Sequence, residues 1–410
     1  MTTAYELRRH KFTVNVDICF MENKIIKFIL LAVVLSVFGI SAALTQPVSA
    51  GLRHPYIRVA ILKNTRKVVF SMRGRYSIID PESKEVLYQG RSLRKTFIEV
   101  NPRGLKIGDN IHPIKKVRLL PSKDALIAID KKLLCYKGAV DIILTKKKSL
   151  LVVNILHLER YVKGVLYHEV SHRWPLEALK AQAVAARTYA SYQMEVNTKR
   201  DYDVTSDVFS QVYGGKSAER HRTNLAVDRT RGEVMMYNKE ILPAYYHSNC
   251  GGHTEDAHAL WNHPPMLPLT GKSCPYSQDA PNSQWKKNFQ SSKIQKKFND
   301  KGKTIGLIQS IDIIERTNSG RAKELRIADR AGNEIFLTAK KFRELLGPNA
   351  LKSNLYHIKM KGYYFDVYGR GWGHGVGMSQ WGAYHMSLKR FGYKEILLFY
   401  YPSVSFEKYR

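Results

Sequence analysis

The period of the hydrophobic pattern changes along this chain, and each change marks an element. Tyr56–Leu62 and Lys67–Ser71 mix alternating and continuous β-branched runs, which predicts strands. Turn signals at Asp80-Pro81-Glu82-Ser83 and Asn101-Pro102-Arg103-Gly104 separate further candidate strands, so residues 51–157 read as β-rich. From Leu158 the period lengthens. Leu158, Val162, Val165 and Leu166 recur at helical spacing, and Leu179, Ala183, Val184, Ala186 and Ala190 do so again after Trp174-Pro175, a natural helix opening. The pattern predicts two helices meeting at a tight, partly apolar corner, with Glu169 ending the first. Strand-like runs at Ile311–Ile314 and Leu325–Ile327 and a short helix over Ala339–Leu346 follow. Gly369–Gly377 then has glycine at every second position. In an extended strand this leaves one face bare and puts Arg370, Trp372, His374, Val376 and Met378 on the other. A helix over 379–390 and Tyr400-Tyr401-Pro402 close the chain.

The fold class expected is α+β. A β-rich N-terminal portion (51–157) packs on the helical pair, and a mixed α/β part carries the glycine-alternating strand. Residues 158–410 form the second region, with 284–350 a possible inserted subregion. The first 50 residues differ in kind. Ile25–Leu44 is almost unbroken apolar sequence after Lys24, and Val48-Ser49-Ala50 resembles a cleavage site. The segment is read as a signal peptide or an uncleaved membrane anchor, behind a tail whose true start could be Met21. The remainder is then expected outside the cytoplasm.

At 410 residues, with 44% hydrophobic residues, the chain can bury a sizeable core. Its net charge of +31 implies an anionic partner. No zinc-finger spacing, RNP-like motif or basic heptad run accompanies that charge, so nucleic acid is not the expected partner. The glycine block does not match G-x-G-x-x-G, which removes a dinucleotide reading.

Glu169 is the chief chemical candidate. At an apolar corner it would be desolvated and its pKa raised, as a general acid near neutral pH requires. The competing reading is a solvated charge at a helix end. Trp372 beside His374 forms a plausible sugar platform. Cysteine use offers a second site: His247, Cys250, His253 and Cys274 could form a closed tetrahedral set for one structural Zn2+, with His258 and His263 as alternative ligands. A Cys250–Cys274 disulfide, or two unpaired thiols, are the other readings. Cys19 and Cys135 carry no such context.

Taken together these stretches resemble the SpoIID/LytB family. The matching residues are Tyr161-Val-Lys-Gly-Val with Glu169, Trp174–Ala190, Gln211-Val-Tyr213, Thr230-Arg-Gly232, His247-Ser with Gly251-Gly-His-Thr254, and Gly369–Ala383. The resemblance implies a peptidoglycan lytic transglycosylase acting on glycan strands, with a preference for strands whose stem peptides an N-acetylmuramoyl-L-alanine amidase has removed. It places the catalytic acid at Glu169, needs no catalytic cofactor, and makes Arg187, Gln211, Trp372, His374, Ser379 and Gln380 candidates for holding the glycan. The LytB side of the family implies an alternative, a non-catalytic wall-binding amidase enhancer or a scaffold of the division or engulfment machinery. Val170, His172-Arg173 and Ser277 depart from the common pattern, Ser277 standing where a third cysteine often occurs.

Overall fold

The computed structural model describes residues 55–122, 126–129 and 134–409; the signal or anchor segment and Cys19 lie outside them. His54–Arg410 forms one compact unit. Among the described residues no helix is long and apolar enough to cross a membrane.

The β-rich half is a single sheet. Its strands lie in the order Val204–Thr205, Tyr56–Thr65, Leu150–His157, Ala139–Leu144, Lys116–Pro121, Lys67–Ile79, Val86–Asn101, Gly104–Ile107 and Asn110–His112. All of these pairings are antiparallel except Val204–Thr205, which lies parallel to Tyr56–Thr65. The Asn101–Gly104 turn joins two strands as its sequence predicts, with Gly104 at φ +141° packed against the His112 carbonyl.

Three helices cover the sheet: α1 (Leu158–Glu169), α2 (Leu176–Val196) and α3 (His221–Arg229). Leu158, Val162, Val165 and Leu166 of α1 and Leu179, Ala183, Ala186 and Ala190 of α2 join Ile57, Val59 and Val152 in the main core. The opposite stripe of α2, Ala181, Val184 and Ala185, faces a second core with Met235, Val376, Met378, Ile396 and Tyr401. A helix buried on both sides must be apolar all round, and alanines let both layers approach its backbone closely. This is why α2 can serve as the spine between the sheet and the C-terminal layer.

A third core, including Ile294, Phe298, Leu325, Ile327, Phe342 and Val367, belongs to residues 285–369. Here Trp285–Gln290, Tyr364–Gly369 and Tyr356–Lys361 form one three-stranded sheet, and Ile308–Arg316, Ala322–Asp329 and Glu334–Thr338 another. The helix Ala339–Leu346 has the predicted bounds.

Gly371–Gly377 is not the expected strand. Gly371, Gly373, Gly375 and Gly377 all have positive φ, between 69° and 116°, so the backbone turns at every second residue instead of extending. The bare positions do admit close neighbours. A Cβ on Gly371 would lie 2.6 Å from the Asn249 carbonyl, one on Gly373 2.7 Å from His247 Cβ, and one on Gly377 2.0 Å from the Tyr245 carbonyl. L-residues rarely adopt this conformation, so glycine is required here twice over. Val376 and Met378 turn inward to the second core, while Arg370 and Trp372 are exposed.

Candidate active site

The α1–α2 corner is held from outside by α3. Arg222 donates from Nε to the His172 carbonyl at 3.1 Å and from Nη2 to the Trp174 carbonyl at 3.0 Å. Pro175 precedes the first residue of α2 and leaves no idle donor there. The last residue of α1 is Glu169, at the helix end where the backbone dipole disfavours negative charge.

Glu169 is in contact with solvent over only part of its surface. The Val212 amide donates to Oε1 at 3.0 Å, and the Gln380 and Tyr246 side chains also bond the carboxyl. Among the described residues no cation pairs with it. Desolvation outweighs these hydrogen bonds and pushes its pKa up to about 7. The hydrogen-bond directions behind it are fixed. Tyr161 Oη donates to Gln211 Oε1 at 2.9 Å, and Gln211 Nε2 donates to Tyr246 Oη at 2.9 Å and to the Ala186 carbonyl at 3.2 Å. The Tyr246 hydroxyl proton is therefore left for Glu169.

His374 acts one step further back. The Val376 amide donates to Nδ1 at 3.1 Å, so Nδ1 is an acceptor and Nε2–H donates to the Tyr246 carbonyl at 2.9 Å. Burial pushes its pKa well below the usual imidazole range, so the ring is neutral. It braces the strand Tyr246–His247. Trp372 is exposed under Lys352, whose ammonium lies 5.4 Å from the ring centre.

Two residues expected to hold glycan are committed elsewhere. Arg187 is fully buried and grips both oxygens of Glu159 at 2.8 Å, with further donors on the Val227 and Glu233 carbonyls. Its guanidinium is an internal clamp because α2 passes under the start of α1. Ser379 is buried and caps the helix Gln380–Leu388 through the Gly382 amide, while also accepting from the Cys250 amide. Gln211 and Gln380, by contrast, are brought together at the carboxyl.

Of the four candidate zinc ligands, Cys250 and Cys274 are buried beside one another with free thiols, and both contact the Ser277 hydroxyl, at 3.2 and 3.5 Å. The Cys274 thiol bonds Cys250, which lowers the Cys250 pKa well below the usual thiol range and raises that of Cys274. His247 also bonds Cys250, and its Nε2 is buried with no other partner among the described residues. His253 turns to the Thr254 carbonyl at 2.6 Å, and the exposed His258 and half-buried His263 are bonded to local carbonyls. Among the described residues no group of three or more His, Cys, Asp or Glu is arranged to hold a metal ion.

Sequence reasoning missed Tyr246, the Val212 amide and two aromatic features. Trp174 at the corner packs with Trp381 and Tyr384, at ring separations of 5.0 and 5.1 Å. Phe209 is 86% exposed, three residues before Val212. An apolar side chain held in water beside a candidate acid is a signal, but only once the acid's neighbours are known.

The comparisons agree with this architecture. A family model described as Stage II sporulation protein matches residues 146–237, which contain the corner, and a domain of unknown function matches 276–377. Stage II sporulation protein D of Bacillus subtilis is 31% identical over 268 residues, covering 61% of this chain and 74% of that protein. An uncharacterized protein of Brachyspira hyodysenteriae is 33% identical over 356 residues, covering 86% of this chain and 93% of its own. The amidase enhancer of Bacillus subtilis is 29% identical over 60% of this chain, but the match spans only 40% of that protein. The chain belongs to the SpoIID/LytB family.

Proposed function

We propose that this chain acts on the bacterial cell wall, outside the cytoplasm, as a peptidoglycan lytic transglycosylase with Glu169 as its acid and base. The observation that carries this reading is the setting of Glu169: a carboxyl at the α1–α2 corner held by the neutral donors Val212, Gln380 and Tyr246, which desolvation pushes up to about 7 with no neighbouring carboxylate contributing to the shift. Glycoside hydrolysis needs a second carboxylate to activate water or form a covalent adduct. A transglycosylase does not, because the sugar's own C6 hydroxyl is the nucleophile.

In the forward step the Glu169 carboxyl proton passes to the glycosidic oxygen and the C1–O bond breaks. The resulting carboxylate then takes the proton of the C6 hydroxyl as its oxygen bonds C1. The product is a 1,6-anhydro sugar, no water is consumed, and Glu169 ends protonated as it began. Val212, Tyr246 and Gln380 supply hydrogen bonds to the carboxylate during the interval when it is charged, and Gln211 and His374 fix Tyr246. A purely scaffolding role gives no reason to keep an unpaired, desolvated carboxyl. Cys250, Cys274 and His247 are proposed as a structural knot behind Ser379, with no part in the reaction. The name of the amidase enhancer supports an amidase as the partner that prepares the strands.

The test is incubation of the purified protein with glycan strands, intact or stripped of stem peptides, and mass spectrometry of the products. Anhydro-ended fragments are expected. Reducing-end fragments would overturn the transglycosylase in favour of hydrolysis, and no fragments at all would leave a binding protein.

A further inference from the structure

The region matched by the domain of unknown function carries a cleft of about 690 Å3 that the Glu169 chemistry does not use. Lys286, Arg316 and Arg370 line it, and no carboxylate does. Arg316 spends its donors on the Gly320 and Tyr356 carbonyls, at 2.7 and 3.1 Å, and Lys286 pairs with Asp366 at 3.3 Å. Arg370 is exposed, and no residue among those described holds its guanidinium by a hydrogen bond or ion pair. Beside these cations stand two stacked rings. His357 and Tyr368 are cross-strand partners whose rings stack at 5.0 Å and 7°, and Lys286 is the partner of Tyr368 on its other side. Trp285 closes the wall, its Nε1 donating to the Gly371 carbonyl at 2.9 Å.

Stacking on Tyr368, whose other face lies under the Lys286 ammonium at 5.0 Å, leaves the outer face of the exposed His357 ring for the C–H side of a sugar, and a free guanidinium matches a carboxylate as a fork. We propose that this cleft binds a carboxylate-bearing sugar of the glycan strand, with Arg370 on the carboxylate and the outer face of His357, backed by Tyr368, under the ring. This rests on the reading of the protein as a glycan-cleaving enzyme, and it names what that enzyme selects. When an amidase cuts the amide that joins a stem peptide to the strand, it leaves a free lactyl carboxylate on that sugar. A stripped strand therefore displays a regular row of anions that an intact strand lacks. The cleft reads this difference, and the connection to the acid is covalent: Arg370 leads directly into Gly371–Gly377, whose His374 braces Tyr246 behind Glu169.

The experiment measures binding in the full chain carrying Glu169→Gln, so that cleavage does not intervene. Labelled stripped strands are compared with the same strands after their carboxyl groups are capped as methylamides. Capping is expected to weaken binding by about tenfold or more, as for loss of a hydrogen bond to a charged group. Adding Arg370→Ala should abolish the difference between the two strands, and Arg370→Lys should keep part of it, with the thermal midpoint unchanged in both. Equal binding of capped and uncapped strands, or discrimination that survives Arg370→Ala, overturns the proposal. Equal displacement of the glycan by a poly(glycerol phosphate) of matched charge overturns the sugar assignment. Failure of the unsubstituted chain to cleave any strand would remove the enzymatic reading but leave this binding result intact. Cleavage without carboxylate discrimination would do the reverse.

Discussion

The two ends of α1 each carry a glutamate withdrawn from water, and they are put to opposite uses. Glu159, in the first turn, is buried, receives the Gly232 amide at 3.0 Å and is clamped by both arms of the Arg187 fork. The helix dipole at that end favours its charge. Glu169, in the last turn, has the dipole against it and, among the described residues, no cation and hydrogen bonds only from neutral donors. Burial alone does not make a reactive carboxyl. What distinguishes the two is whether the fold supplies a counter-charge, and withholding one at Glu169 keeps its proton in place until a substrate can take it.

The largest effect expected from breaking this contrast is on turnover. Glu169→Gln keeps the shape and removes the transferable proton, so anhydro-product formation should fall on the order of a thousandfold while the fold persists. Product yield by mass spectrometry beside a thermal melt measures both. At the other end, Arg187→Ala leaves Glu159 charged, buried and unpaired, and should cost about 3–5 kcal/mol in denaturant unfolding. Retention of full stability would mean that Glu159 reaches water and that the clamp is unimportant.

The pH dependence sharpens the same contrast. Glu169 is pushed up to about 7 from an ordinary 4.5. Between those values the folded chain binds a proton that the unfolded chain has lost. The stabilisation this gives is fully present below 4.5 and disappears as pH rises through 7. Its ceiling is about 3 kcal/mol, reduced by the partial contact of the side chain with water. Glu169→Gln should therefore gain stability relative to the parent at pH 8 and show little gain at pH 4. The catalytic limb follows the same proton: kcat/KM should fall about tenfold per unit above pH 7. A flat rate from pH 6 to 9 would remove Glu169 as the acid.

The corner itself was legible because helical periodicity, Trp174-Pro175 and a glutamate at the turn lie within one short stretch of sequence. Arg187 was misread for want of long-range information. Its partner Glu159 lies 28 residues earlier, and nothing in an alanine-rich helix shows which face meets it. The glycine block was half legible. Alternation signals close backbone approach, but glycine tolerates extended and left-handed conformations alike, so the sequence cannot choose between strand and serial turns. Tyr246 and Val212 reach Glu169 through tertiary folding alone, and ligand spacing along a chain does not say that the His253 ring meets the Thr254 carbonyl.

The smallest predicted effect concerns Phe209, and it asks whether the neutral surroundings of Glu169 extend to the substrate. The turn that holds it is well built: Asp207 accepts from the Phe209 amide at 3.1 Å and from the Thr205 hydroxyl at 2.7 Å, and Ser210 Oγ accepts from the Thr205 amide at 3.1 Å. Val208 and Phe209 are nevertheless 78% and 86% exposed, so the turn holds apolar surface in water beside the residue whose amide binds Glu169. If that surface stacks on a sugar ring at the cleavage site, Phe209→Ala should lower kcat/KM about three- to tenfold, as for loss of one aromatic contact, and Phe209→Tyr should restore it. Being exposed, the side chain contributes little to folding, so the thermal midpoint should not move. A loss confined to KM would mark ground-state binding, whereas a loss in kcat would place the ring where the sugar distorts. Unchanged kinetics would limit the acid's apolar setting to the protein itself, with the strand held from the Trp174–Trp381 side.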